Sequence, residues 1–247
     1  MTRRSTLVAQ LRALGVAPGD VLMTHASLRR VGKIEGGAAG LIQAQREAVG
    51  PEGTLLMVLS ALDDVPFDPL RTPVPVEDMG VLAEVFRTTP GVEVNDHPAA
   101  RFGALGPRAA SLLWPSPLHD YYGPGSVLER LVEANGKVLR LGADPDTITL
   151  THLAEHLATL PRKARVRRRY EVAGQGEVSI QCLDDSDGIA QWEGGDYFPE
   201  IWLDYRAARR AHVGRVGNCT AELLGARDFL DHAVQWLERA RWVEAGG

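Results

Sequence analysis

Apolar residues recur at helical spacing over 5–15 (STLVAQLRALG), with Ser5 placed as an N-cap and Gly15 as a stop, so the spacing predicts a first helix there. Pro18-Gly19-Asp20 then turns the chain into VLMTH, an apolar run too short for a helix that ends in the polar cluster His25-Ala26-Ser27 and reads as a buried strand. The helical pattern returns over 38–48, 50–53 makes a turn, and TLLMVLSAL is a second buried strand. Such β-α-β alternation buries strands under helices on both faces and gathers ligands where loops leave the strand ends. Residues 25–30 and 62–68 therefore fall beside the expected site.

The proline-rich stretch LDDVPFDPLRTPVPVED is expected to be a long ordered loop, because proline lacks an amide donor and restrains its predecessor. A helix over about 79–88 follows, then a loop at NDHPAARFGALGPRA, then a Gly-rich turn, a Ser126 cap and a helix. KVLRLGAD reads as a third buried strand with a polar exit, and THLAEHLATLP as a helix from Thr149 or Thr151 to Pro161. RKARVRRRYEVAGQGEVSIQCL has the form strand, turn at 174–176, strand; two further helical segments (197–211 and 226–242) are separated by VGRVGNCTAELL, which has strand character. No repeat or low-complexity linker interrupts the 247 residues, so one domain over 1–247 is expected.

Composition narrows the function. The formal net charge of −5 disfavours a nucleic-acid module and suits a cationic ligand. No apolar stretch reaches the roughly 18 to 20 residues of a membrane span, and the N-terminus lacks a signal-peptide core, so a soluble cytoplasmic protein without membrane partners is expected. Cys182 and Cys219 are too few for a disulfide framework or a four-cysteine zinc site and are assigned to packing.

The segment LRLGADPDTITLTHLAEH places His152 in the first turn of a helix that follows a strand exit. A histidine held there can exchange a proton near neutral pH beside a loop-built cavity, although a capping or core role is the alternative. CLDDSDGIA puts Asp184, Asp185 and Asp187 in one short loop, which could orient His152 or hold a substrate ammonium, or be a solvated turn. Asp63, Asp64 and Asp68 follow a buried strand and suit a polyamine-like ligand; the spacing and closing glutamate of an EF-hand are absent, so calcium is disfavoured. YGPGSVLER offers amides and the Ser126 hydroxyl at a helix start, either for phosphate or simply as a cap. The basic run RKARVRRR reads as a solvated hairpin strand, with contact to cofactor phosphates as the alternative. His152 and His156 have HxxxH spacing, yet Leu153 stands where a zinc protease needs its glutamate, and Glu155 comes third; no metal is expected.

VLMTHASLRRVG, GPEGTLLM, LDDVPFDP, HPAARFGALGPRA, YGPGSVLERLVEANGKVLRLG, THLAEH, DDSDGI and RVGNCTAELLGARDFLDHAVQWLE occur in that order. As an ordered set across nearly the whole chain they resemble the aminoglycoside 3-N-acetyltransferase (antibiotic N-acetyltransferase) family. The resemblance implies an α/β fold of three layers, α/β/α, with a mixed central sheet and a small antiparallel hairpin, distinct from the commoner GNAT acetyltransferase fold. It implies acetyl-CoA as cosubstrate, a cationic aminoglycoside or other polyamine as acceptor, and a monomer or homodimer. By motif position His152 is the base and Asp184 its acidic partner, with Asp185 or Asp187 as neighbouring candidates. Direct transfer is the expected mechanism, with a backbone amide or a hydroxyl, that of Thr149 or Ser27, steadying the oxyanion. The coenzyme is expected against His25, Ser27, Leu28, Arg29 and Val31, the turn at Ser126, and the loop from His97 to Phe102. Asp63, Asp64, Asp187, Tyr122 and Glu155 are expected to face the aminoglycoside. The family pattern Gly-His-Asp-x-Asn-Thr ahead of the base reads Asp144-Pro145-Asp146-Thr147-Ile148-Thr149 here, so only Asp146 and Thr149 keep their places. The same fold acylating a different amine, or a binder that sequesters a cation, are the rival functions.

Overall fold

The structure is a computed structural model that describes residues 1–62, 64–160, 163–185 and 195–240. Its helices are α1 (Arg4–Leu14), α2 (Leu28–Val31), α3 (Gly37–Val49), α4 (Val76–Met79), α5 (Val81–Arg87), α6 (Ala109–Leu113), α7 (Val127–Glu133), α8 (Leu150–Leu157), α9 (Tyr197–Ala207) and α10 (Ala226–Arg239). The strands are β1 (Val21–Ala26), β2 (Thr54–Val58), β3 (Glu93–Val94), β4 (Phe102–Leu105), β5 (Lys137–Leu141), β6 (Arg165–Val172), β7 (Gly176–Leu183), β8 (His212–Val216) and β9 (Cys219–Gly225).

Seven strands form one sheet in the order β3-β4-β2-β1-β5-β9-β8, while β6 and β7 pair only with each other. The β2-β1-β5 centre is parallel, and antiparallel strands flank it on both sides, so the sheet is mixed. Successive side chains of a strand point to opposite faces, which divides the core in two. Val21, Met23, Leu56, Val138 and Leu224 pack under α6 to α10, whereas Leu22, Leu55, Leu139 and Leu223 pack under α1, α3 and α5. The result is the expected three-layer α/β/α architecture, with the hairpin's Ile180 and Cys182 packed on the first of these faces.

Several expectations shift. The helix expected over about 79–88 is α5; a short helix, α4, precedes it, and the two are separated at Gly80, whose φ of 80° and ψ of 155° no helix accommodates. The expected loop at 95–109 contains β4, because Phe102–Leu105 pair antiparallel with Val58 to Leu55 inside the sheet. A four-residue strand that includes glycine and alanine carries too little alternation to announce itself. In the proline-rich segment, the end of which enters α4, residues 64–75 form an ordered loop: the buried Arg101 guanidinium donates to the carbonyls of Pro69, Thr72 and Pro73 at 3.4, 2.6 and 3.2 Å. Phe67 also exchanges backbone hydrogen bonds with Glu171 and Ala173, which fastens that loop to the hairpin. On β6 the side chains alternate, leaving Arg165, Arg167 and Arg169 in solvent as a hairpin strand requires.

Candidate active site

The site grows from the end of β5. The chain leaves that strand through Gly142, at φ 61°, where an added Cβ would stand 2.9 Å from Arg30 Cβ and 3.0 Å from Cys219 Cβ, so only glycine fits. The turn that follows is pinned by two arginines. Arg140, 1% exposed, donates to the carbonyls of Ala143 (3.0 Å) and Asp144 (2.7 Å) and to Glu222 Oε2 (2.9 Å), and lies 4.1 Å over the Trp202 ring. Arg30 donates to the Gly142 carbonyl and to Asp144 Oδ1, each at 2.7 Å. This brace sets the direction in which α8 starts, and with it the place of His152.

His152 sits in an aromatic slot. Tyr122 stacks parallel to the imidazole, with centroids 4.8 Å apart and planes 6° off, and Phe198 meets it edge-on at 4.8 Å. One turn along α8, Glu155 Oε2 lies 2.7 Å from His152 Nδ1. The i, i+3 spacing brings the two side chains onto one face of the helix. Glu155 is 3% exposed, and its other oxygen, Oε1, takes Lys163 Nζ at 2.8 Å and the Tyr197 hydroxyl. Burial pushes this carboxyl upward, but the hydrogen bond and charge of His152 and the charge of Lys163 outweigh it and hold the group below its ordinary value. A carboxylate accepting at Nδ1 fixes the Nδ1–H tautomer and leaves the lone pair on Nε2, the arrangement of an oriented general base.

His152 lines a cleft of about 420 Å³ formed by the exit of β1 (Thr24 to Ser27), the α4-α5 segment, and the 143–152 turn. Glu77, Asp78, Asp144 and Asp146 give the cleft wall an acidic character. His25 also lines it; its Nε2 is buried without a hydrogen-bond partner among the described residues, and burial followed by the charge of Arg140 lowers its pKa to about 3. The His25 ring is therefore a neutral polar group, with a free nitrogen in the wall. Ser27 and Thr149 line the same cleft, and neither side chain is consumed in capping the helix it precedes.

Several expected residues lie elsewhere. Asp184 is corrected as the partner of His152: the hairpin carries it to Arg168, which bonds it at 3.1 Å and Asp185 at 2.7 Å, and Glu155 holds the imidazole instead. Glu155 is accordingly a buried, triply engaged carboxylate rather than a group facing substrate, and Tyr122, 7% exposed, gives its ring face to His152. Val31 is in the core, with its amide bonded to the Ser27 carbonyl and its own carbonyl taken by Asn218; Leu28 packs on that core and Arg29 is exposed. Phe102 is wholly buried in β4. His97 is buried and organises its own loop: its Nδ1 accepts from the amides of Ala99 and Ala100, while Nε2 meets the Leu118 carbonyl at 3.1 Å. Ser126 is fully buried as an N-cap, its Oγ accepting from the Glu129 amide while Glu129 reaches back to the Gly125 amide. These two bonds take up the Glu129 and Gly125 amides. Asp64 is exposed on its loop, outside the cleft lining; Asp63 and Asp187 lie outside the described residues.

Lys163 belongs to the basic run expected to be a solvated strand, but its side chain is buried against Glu155; Tyr197 and Phe198 carry no local signal, and only long-range folding brings all three to His152. The i, i+3 relation of Glu155 to His152 is local to one turn of α8, whereas the acidic cluster at 184–187 has no such fixed relation to the histidine. Among the described residues no group of three or more His, Cys, Asp or Glu side chains could hold a metal ion, and no helix is long and apolar enough to cross a membrane.

Comparison with known proteins is consistent across the chain. Residues 23–238 match the family model described as aminoglycoside 3-N-acetyltransferase. Aminoglycoside N(3)-acetyltransferase VII of Streptomyces paromomycinus is 35% identical over 98% of this chain and 94% of its own length. Among solved structures, AAC-IIIb in a binary complex with CoASH superposes with a TM-score of 0.93 at 37% identity, covering 99% of both chains. The sisomicin-bound AAC-VIa does so with a TM-score of 0.91 at 34% identity, covering 97% of this chain and 99% of that one.

Proposed function

The chain belongs to the aminoglycoside 3-N-acetyltransferase family, and from that footing we propose that it transfers the acetyl group of acetyl-CoA directly to the 3-amino group of an aminoglycoside, with His152 as general base. The observation that carries this reading is the 2.7 Å contact of His152 Nδ1 with a buried glutamate, which leaves Nε2 as the nitrogen free to take a proton beside the cleft.

The acyl donor supplies a thioester carbonyl. The neutral amine attacks it, His152 Nε2 removes the amine proton as the new C–N bond forms, and the carbon–sulfur bond breaks to release the thiol of CoA, to which the proton can pass. Glu155 keeps the ring in the productive tautomer and balances the imidazolium that forms. Ser27 and Thr149, whose hydroxyls are not spent on capping, are the groups proposed to donate to the developing oxyanion, a role that preorganised donors fill. The polar His25 nitrogen in the cleft wall suits a hydrogen-bonding substrate better than a purely apolar one. Glu77, Asp78 and Asp146 in the cleft, and Asp64 on the loop beyond it, suit an acceptor that carries several ammonium groups. Asp63 and Asp187 are proposed to join them.

The test is release of free CoA from acetyl-CoA on adding gentamicin, apramycin or a non-aminoglycoside polyamine, with the product's acetylated nitrogen identified by NMR. Release with an aminoglycoside and a 3-N-acetyl product supports the reading. Turnover confined to the other polyamine moves the activity to a different amine, and tight binding of an aminoglycoside without CoA release makes the protein a binder.

A further inference from the structure

Glu155 is held by more than its catalytic neighbour. Three groups from separate segments converge on a side chain that is 2% exposed: His152 from its own helix at Oε2, and Lys163 and the Tyr197 hydroxyl at Oε1. Lys163 is equally buried, at 2% exposure, and its ammonium also lies 5.8 Å from the centroid of the Tyr197 ring. His156, the next residue of α8, also feels the charge of Glu155. Removing an ammonium from water costs several kcal/mol unless an anion and hydrogen bonds replace the lost hydration. Lys163 is thus buried against Glu155 and adds a charge that Tyr197 cannot.

Without that charge, a buried carboxylate beside an imidazole is a net negative pair in a low dielectric. Such a pair takes up a proton, on one partner or the other, at a higher pH than an isolated group would. A base that already holds a proton cannot accept one from the substrate amine. With Lys163 in place the Glu155 carboxylate is paired with an ammonium at 2.8 Å and the pair is neutral.

We propose that Lys163 is a positioning residue for the transfer: its ammonium balances Glu155 so that the Glu155–His152 pair carries no extra proton at rest. Tyr197, which donates to the same oxygen without adding charge, fixes only the direction of the carboxylate. The inference rests on the reading of His152 as the base.

The experiment is the pH profile of kcat/KM for the wild type, Lys163→Met, Lys163→Arg and Tyr197→Phe, with acetyl-CoA and an aminoglycoside. Loss of an opposite charge at this distance moves the acidic limb of Lys163→Met upward by about one pH unit or more. The variant therefore falls roughly tenfold or more below wild type on that limb and recovers as the pH rises. Lys163→Arg restores the limb, and Tyr197→Phe lowers the rate without moving it. A loss in Lys163→Met that is uniform across pH, with the limb where the wild type has it, overturns the proposal.

Nitrogen NMR of the histidine-labelled wild type gives a second answer that needs no Lys163 variant. The His152 resonance, identified by its disappearance in His152→Ala, is expected as the Nδ1–H tautomer with a bare Nε2 at about pH 7.5; an imidazolium there overturns the proposal. Normal turnover by His152→Ala would instead bring down the underlying reading of the base. An inactive His152→Ala beside a Lys163→Met with an unmoved limb brings down this inference alone.

Discussion

Two clusters in this molecule are built from the same parts. Around Glu155 a carboxylate meets a lysine and a tyrosine hydroxyl; around Asp184 and Asp185 two carboxylates meet an arginine, Arg168, and the hydroxyl of Tyr121. The first carboxylate is 2% exposed and touches a histidine, while Asp184 and Asp185 are 32% and 18% exposed and are bonded by Arg168. The second cluster lies one aromatic layer back from the base: Tyr121 packs edge-on against Tyr122, which stacks on His152. An acidic residue becomes the partner of a base through the geometry that delivers it, and a run of aspartates in a loop has none of the registry that a helix turn imposes.

The largest effect that bears on this contrast is on turnover. Glu155→Gln should lower kcat roughly 10²- to 10⁴-fold, the range a general base supplies, because an amide can present the wrong group to Nδ1. Steady-state rates at saturating substrates check this. A second effect is on stability. The folded pKa of Glu155 lies below its ordinary value of 4.5, so the group contributes stability above that value and loses it as the pH falls through the folded pKa. Urea midpoints of Glu155→Gln should consequently decline less than those of the wild type below about pH 4.5.

Ser126→Ala removes a cap and should cost about 1 kcal/mol, read as a lower Tm, with the KM for acetyl-CoA unmoved. A rise in that KM would return Ser126 to the coenzyme site. Asp184→Asn is expected to do least: its pair with Arg168 is a third exposed, so kcat should change by less than about tenfold and stability by less than about 1 kcal/mol. A loss equal to that of Glu155→Gln would erase the distinction between the clusters.

The same contrast marks how much the sequence discloses. Long periodic segments such as α1, α3 and α10, the apolar runs of β1, β2 and β5, and the β6-β7 hairpin were legible, because period and turn chemistry are local. The strand β4 was not, since Phe102 and its small neighbours acquire strand identity only by pairing with β2. His152, His25, Ser27 and Thr149, read from their place at strand exits, line one cleft. His97, Phe102, Ser126 and Val31 each sit in a stretch with the family's motif order, and their side chains serve packing, capping or loop shape. Motif position fixes where a residue lies along the chain and leaves open which way it points. The basic run that contains Lys163 reads as solvated, and Tyr197 has no local signal, because their meeting at Glu155 depends on segments far apart in sequence.

The most direct test of the account is a single-turnover experiment on His152→Ala, with acetyl-CoA prebound, an aminoglycoside added in excess and product quenched over time. The account predicts that acetyl-CoA binding is retained while the transfer step slows roughly 10²- to 10⁴-fold. Transfer at close to the wild-type rate with the same occupancy of acetyl-CoA would contradict it, because no other group in the described cleft pairs a histidine at its wall with a buried carboxylate.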